Sequence, residues 1–252
     1  MVYIFENNKT SQYYFMYNSK SSLIFLIFLF SVIGAADAQV PSSSFRETAS
    51  GSFVINEETV IYDKVSGKRL TYIEIREIIQ KNNNVSFEKK INERGEIESF
   101  TYDPAGNGRS TRDISLRTKQ NEYFPSFIVR DTRGNVLTSK ELRGKVIVLY
   151  FNLFLKPPFI SPKELLDFEN LIKPLRSQDK LIAILFSHSD EDEIKNFNDQ
   201  TNISFSVIPQ TRNFMNRFLV TEFPSYVVIN KDGTLLSYAE DFSELKNLLN
   251  KL

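Results

Sequence analysis

The second half of the chain alternates two apolar spacings. "KVIVLYF" (145–151) and "KLIAILFS" (180–187) are unbroken apolar runs of strand length, the pattern of strands buried on both faces. Between them, "SPKELLDFENLIKPLRS" sets Leu165, Phe168, Leu171 and Ile172 on one helical stripe, with Ser161 as candidate cap. "SDEDEIKNFNDQ" predicts a second helix capped by Ser189, with acids in its first turn where the helix dipole favours them. "ISFSVI" then reads as a third strand and "TRNFMNRFLV" as a short helix. "FPSYVVIN", the turn "KDG" and "TLLSYA" read as a hairpin, and "DFSELKNLLNKL" as a closing amphipathic helix. Two short strands about the turn "DTRGN" precede all of these. The runs 145–151, 181–186 and 226–230 are expected to share one central sheet with helix 161–177 packed on it. This order predicts a three-layer α/β domain over 123–252 with a central mixed sheet.

A smaller pattern stands before it. "SFVINEETVIYD" reads as a strand, "TYIEIREIIQK" as a helix with Thr71 and Glu74 in a capping box, and "VSFEKKINERGEIESFTY" as two strands around "NERGE". This small α+β unit, 53–102, is too short to bury much surface alone and is expected to pack on the larger domain. Residues 103–122 read as a linker. Its "GNG" lacks the lysine and the preceding strand of a phosphate loop.

Residues 23–34 are an uncharged apolar run followed by Ala36-Asp37-Ala38, which reads as a signal peptide over 1–38 with cleavage before Gln39. Met16 is an alternative start that would give the run an ordinary short leader with Lys20 as its charge. Retention of the run as a single membrane anchor is the other reading, although it is short of the ~20 apolar residues that span a bilayer. Residues 39–52, polar and rich in small side chains, read as a tether.

Composition narrows the chemistry. The 31 basic and 31 acidic residues balance, so charge supplies no reason to expect nucleic acid as a partner. The chain of 252 residues contains no cysteine, which excludes disulfides, thiolate nucleophiles and cysteine metal sites. No cofactor motif is present. The lone histidine, His188, follows a strand in "FSHSDED". It reads as a loop residue before a helix, or as a general base beside Asp190 or Asp192. The run 190–193 lacks the spaced ligands and glycine of a calcium loop.

From about Tyr123 to Leu252 the sequence resembles a thioredoxin-like domain of the TlpA/ResA and AhpC/TSA redoxin type. "FPSFIVRDTRGNVLTSKELRGKVIVLYF" and "FPSYVVINKDGTLL" carry the likeness in order and spacing. In that family the first long strand runs into Trp-Cys-Pro-Pro-Cys at a helix N-terminus. Laid over this chain, Leu155 takes the Trp position, Lys156 and Phe159 the two Cys positions, and Pro157 and Pro158 remain. Pro224 matches the family's cis-proline. The resemblance implies an exported protein of the periplasm or cell envelope of a bacterium. Both sulfurs are absent, so thiol–disulfide exchange by this chain is excluded by chemistry.

The same resemblance implies a groove in which Phe223, Pro224, Leu155 and Phe159 meet an extended polypeptide or envelope protein, with Leu155 and Phe159 exposed. Lys156 stands where the family has a nucleophile at a helix N-terminus. It reads as a solvated lysine or as a Schiff-base nucleophile. Three function classes remain: a non-catalytic binding module, an enzyme of non-thiol chemistry using His188 and nearby carboxylates, and a structural envelope domain. A membrane enters only if the N-terminal run is retained.

Overall fold

The computed structural model describes residues 44–47, 51–82, 85–106, 113–201 and 203–252, and only the backbone of 44–47 and 51–54. The expected signal peptide lies outside the described residues. No helix among the described residues is long and apolar enough to cross a membrane.

In chain order the strands are β1 (Ser44–Glu47), β2 (Gly51–Val54), β3 (Ile61–Asp63), β4 (Phe87–Ile91), β5 (Ile97–Tyr102), β6 (Ile128–Arg130) and β7 (Val136–Thr138). They continue as β8 (Val146–Asn152), β9 (Leu181–Ser187), β10 (Ser206–Ile208), β11 (Ser225–Ile229) and β12 (Leu235–Ala239). The α-helices are α1 (Tyr72–Lys81), α2 (Pro162–Ser177), α3 (Glu191–Thr201), α4 (Arg212–Arg217) and α5 (Phe242–Leu249).

The five-stranded sheet runs β10-β9-β8-β11-β12. β8, β9 and β10 are parallel neighbours, and β11 pairs antiparallel with both β8 and β12. The three predicted runs therefore share one sheet. All seven residues of β8 are buried, because both faces of the sheet are covered. Successive side chains of a strand alternate faces. Val146, Val148 and Tyr150 join Leu165, Phe168 and Ile172 of α2 and Leu245 and Leu249 of α5 on one side. Ile147, Leu149 and Phe151 join Phe214 and Met215 of α4, Phe218 just after it, and Val129 of β6 on the other. This is the three-layer, thioredoxin-like arrangement with a mixed central sheet.

Helix α2 starts where the sequence places its cap. Ser161 Oγ accepts from the Glu164 amide at 3.2 Å, and Glu164 accepts from the Ser161 amide at 2.7 Å. Two otherwise orphaned donors are thereby satisfied reciprocally. Thr71 and Glu74 form the same box on α1, and these hydrogen bonds, with Lys68 beside them, lower the Glu74 carboxyl to about 2. The α3 expectation needs correction. The capping side chain is Asp190, whose Oδ1 accepts from the Glu193 amide at 2.8 Å, while Ser189 is buried and turned to the neighbouring loop.

The small unit forms a three-stranded sheet, β3-β5-β4, with α1 covering a core of Ile55, Ile61, Ile75, Phe87 and Phe100. The run expected as one strand over 52–63 is two strands, because Asn56 turns the chain by accepting from the Glu58 and Thr59 amides. β1 and β2 pair antiparallel within and beside the segment expected as a tether.

The β4–β5 turn seats this unit on the larger domain. The Ile128 amide donates to the Glu93 carbonyl at 2.7 Å, and Asn213 Nδ2 donates to the Gly95 carbonyl at 2.8 Å. Arg217 donates to the carbonyls of Ile91 and Ser126. Gly95 sits at φ +77°, and an added Cβ would lie 2.6 Å from the Phe214 ring. Only a residue without a side chain fits that approach in that backbone conformation.

Candidate functional site

The segment linking β8 to α2 holds every position of the degenerate motif. Its backbone is pinned from β9 and the residues after it. The His188 amide and the Ser187 hydroxyl both donate to the Leu153 carbonyl, at 2.9 and 3.2 Å. Ser189 Oγ accepts from the Leu155 amide at 3.0 Å. At the other end Asn152, buried at the end of β8, donates from Nδ2 to the Phe159 carbonyl at 3.2 Å. The Phe159 amide donates to the Lys156 carbonyl at 3.0 Å, closing a turn around Pro157 and Pro158. The Pro157–Pro158 and Phe223–Pro224 bonds are both cis.

This pinning overturns two expectations. Leu155 is buried, not exposed: the Ser189 bond draws its backbone inward, and its side chain joins the α2-side core with Leu165 and Ile160. It does not line a groove. Lys156 is not at a helix N-terminus, because α2 begins only at Pro162, after the Ser161 cap. Dipole effects fade within the first turn, so Lys156 lies outside the field that acidifies a family thiol.

Lys156 instead faces α3. Its Nζ lies 2.5 Å from Glu193 Oε1, an acid neighbour not evident from the sequence, and 5.3 Å from the centre of the Phe154 ring. The hydrogen bond from Lys156, aided by Ser189, holds the Glu193 carboxyl below its ordinary value. The Lys156 side chain is half exposed and engaged by Glu193 and the Phe154 ring, not set in the desolvated pocket that a Schiff-base lysine uses.

Phe159 is 41% exposed, as expected. Its ring meets Phe154 edge-on at 5.1 Å, and Phe154 lies 6.2 Å from the His188 ring. Phe154, His188, Phe223 and Pro224 are half-buried. The β8–β11 register pairs Phe151 with Ser225. One more step along that register sets Pro224 beside Asn152, the residue that holds Phe159. The end of β8 thus holds Phe159 through Asn152, with Phe154 and His188 around the loop and the start of β11 alongside. Sequence reasoning missed Phe154 and Asn152; the signal for Asn152 was a polar residue ending an apolar strand.

Beneath the loop lies a buried polar stack. The Tyr150 and Tyr226 rings stack at 4.7 Å, and Asn152 Nδ2 lies 3.4 Å from Tyr150 Oη. Burial pushes both phenols above their ordinary range, so neither is a ready proton donor or base at neutral pH. Asp190, expected beside His188 in the enzyme reading, spends one carboxylate oxygen on the α3 cap. Among the described residues no group of three His, Asp or Glu side chains is placed to hold a metal.

No protein-family model matches the chain. It is 31% identical over 116 residues to the thiol-disulfide oxidoreductase ResA of Bacillus cereus, an alignment covering 44% of this chain and 64% of ResA. The chain thus spans less than two thirds of the length of that relative. Among solved structures, a thiol-disulfide oxidoreductase from Bacteroides fragilis matches at TM-score 0.46 and 14% identity, over 52% of this chain and 98% of that one. The thioredoxin domain of a thiol-disulfide oxidoreductase from Bacteroides vulgatus matches at TM-score 0.45 and 15% identity, over 53% and 96%. The chain has a thioredoxin-like fold and a ResA-type homologue, and it contains no cysteine.

Proposed function

We infer that this chain is a non-catalytic, thioredoxin-like binding module of the bacterial cell envelope. The observation that carries the reading is Phe159. An aromatic side chain stands exposed at a position where the resembling family places a sulfur, and two anchors fix its backbone from below, Asn152 and the turn to Lys156. An exposed large apolar side chain next to further half-buried rings and a proline is the composition of a contact surface. The segment before Pro224 leads into β11 from outside the sheet and supplies backbone groups for an extended polypeptide. Leu155 is withdrawn from this surface and Phe154 takes its place. Export is supported by the apolar run at 23–34 and the small-x-small site after it.

The test uses a photocrosslinking amino acid at position 159 in envelope preparations, with a second probe at the exposed Leu116 as control. A binding face predicts a defined adduct from 159 alone, weakened by Phe159→Asp when the probe sits at a neighbouring site. Equal labelling from both positions, or an adduct indifferent to the Asp substitution, leaves the structural-domain reading in its place.

A further inference from the structure

We propose that Arg117 is a strap that holds the backbone in front of Pro224, so that the segment read as a linker controls one wall of the site. Residues 113–122 are not a passive connection. Asp113 caps a short 3-10 turn over Ile114–Leu116, and Arg117 comes directly after it. Its side chain crosses more than a hundred residues of sequence. Nε donates to the Leu219 carbonyl at 3.0 Å, and Nη2 donates to Thr221 Oγ1 at 3.0 Å. The guanidinium lies 4.9 Å from the centre of the Tyr238 ring, and Nη1 lies 4.0 Å from Glu240. The Arg117 side chain is only 19% exposed, low for an arginine. A planar fork with several fixed donors fits two acceptors and an aromatic face at once, which a lysine does not.

What it grips is a strained joint. Leu219 has φ +55°, in the left-handed region that favours glycine. It ends α4 in a paired cap: the Val220 amide donates to the Met215 carbonyl at 2.9 Å, and the Leu219 amide donates to the Asn216 carbonyl at 3.1 Å. Val220 and Met215 are both buried, the apolar contact such a cap uses. The Leu219 carbonyl points away from these bonds and is taken by Arg117. Four residues later the chain reaches Phe223 and Pro224. α4 is itself held from the small unit through Asn213 and Arg217. The stretch before Pro224 is therefore fixed at its start by two elements outside the sheet, the small unit and the Arg117 segment. Displacing either element would loosen the same wall. That consequence for binding rests on the reading proposed for the Pro224 face; the strap itself does not.

Amide hydrogen exchange on the intact chain tests it. Arg117→Ala is expected to speed exchange at the Leu219 and Val220 amides about tenfold, with β8 and β9 amides unchanged. Thr221→Val removes one arm of the fork and is expected to give a smaller rise at the same amides, which keeps the strap falsifiable if Arg117→Ala fails to fold. Arg117→Lys should restore only part of the protection. Exchange within twofold of the parent in both Arg117→Ala and Thr221→Val overturns the strap, as does a rise shared equally with β8 and β9, which would mark general destabilisation. A local rise combined with no adduct from position 159 keeps the strap and removes the binding reading.

Discussion

Lys156 and Glu193 form an ion pair at 2.5 Å that ties the degenerate loop to the first turn of α3. Their side chains are 54% and 34% exposed, so solvent screens the pair and its contribution is bounded at about 1 kcal/mol. Glu193 titrates below the ordinary carboxylate value of 4.5 because Lys156, then Ser189, bind its charged form. A depressed carboxyl contributes stability above its unfolded pKa and loses it as pH falls through the lower native value. Glu193→Gln is therefore expected to destabilise by at most about 1 kcal/mol at pH 7 and low salt. The difference from the parent should shrink in 1 M salt and again below pH 4. Urea denaturation across that grid measures it, and a difference indifferent to both salt and pH would remove the ion pair as its cause.

Gly95 sets how closely the small unit approaches α4. Gly95→Ala is expected to cost about 1 kcal/mol for the left-handed backbone and further energy for the 2.6 Å approach to Phe214. Gly134→Ala is the control, since Gly134 has φ +85° and open space around its added Cβ. Both variants carry the backbone penalty and only the first carries the clash. Unfolding free energies from denaturant titration should fall further for Gly95→Ala, by about 1 kcal/mol or more. Equal losses would show that the Phe214 ring moves aside freely.

Most of the larger domain was legible because its elements obey one period each. β8 is apolar up to its terminal Asn152, α2 carries a clean 3.6-residue stripe, and both capping boxes are written as Ser or Thr with Glu three residues on. The loop at 153–160 obeys no period. Leu155 and Phe159 look alike in sequence, yet one is buried and the other exposed, and the difference lies in a hydrogen bond to Ser189, 34 positions away. In sequence Ser189 fits a local cap equally well, because it stands before a run of acids. Arg117 gave no signal either. A single arginine in a polar stretch is ordinary until the fold brings Leu219 and Thr221 to it.

Asp131 is a buried carboxylate, with no side-chain exposure, at the head of the β6–β7 turn. It accepts from the Arg133 and Asn135 amides, from Asn135 Nδ2 and from Ser206 Oγ of β10, all within 3.0 Å. Burial alone would raise its pKa, but these hydrogen bonds, Asn135 foremost, outweigh it and hold the carboxyl below 3.8. Its stabilising effect is thus complete above pH 3.8 and lost as pH falls through the lower native value. Asp131→Ala should cost about 3 kcal/mol at pH 7, since buried donors lose a charged acceptor. Asp131→Asn should cost less and flatten the acid limb of the stability curve. An acid limb unchanged in the Asn variant would assign that limb to other carboxylates.

Restoring the missing sulfurs would separate the motif from the helix field that serves it in relatives. The parent protein, freed of host thioredoxins, should not reduce disulfides in the presence of a dithiol donor beyond the rate of the donor alone, because exchange needs a thiolate. The sharper test combines Lys156→Cys with Phe159→Cys. A family thiol is acidified by a helix N-terminus. Here α2 begins at Pro162, so a sulfur at position 156 lies outside that field. The Glu193 carboxylate, released from Lys156, would then face the new thiol, and a nearby negative charge raises a thiol pKa above its ordinary value of about 8.5. Alkylation rates against pH are expected to place the thiol introduced at position 156 at or above about 8.5. Adding Glu193→Gln should bring it back towards that value, and reductase activity should stay close to the donor-only rate in both. A thiol titrating below about 7 would mean that the loop re-forms onto the start of α2 once the lysine is gone, and that the ion pair to α3 keeps the native loop away from it.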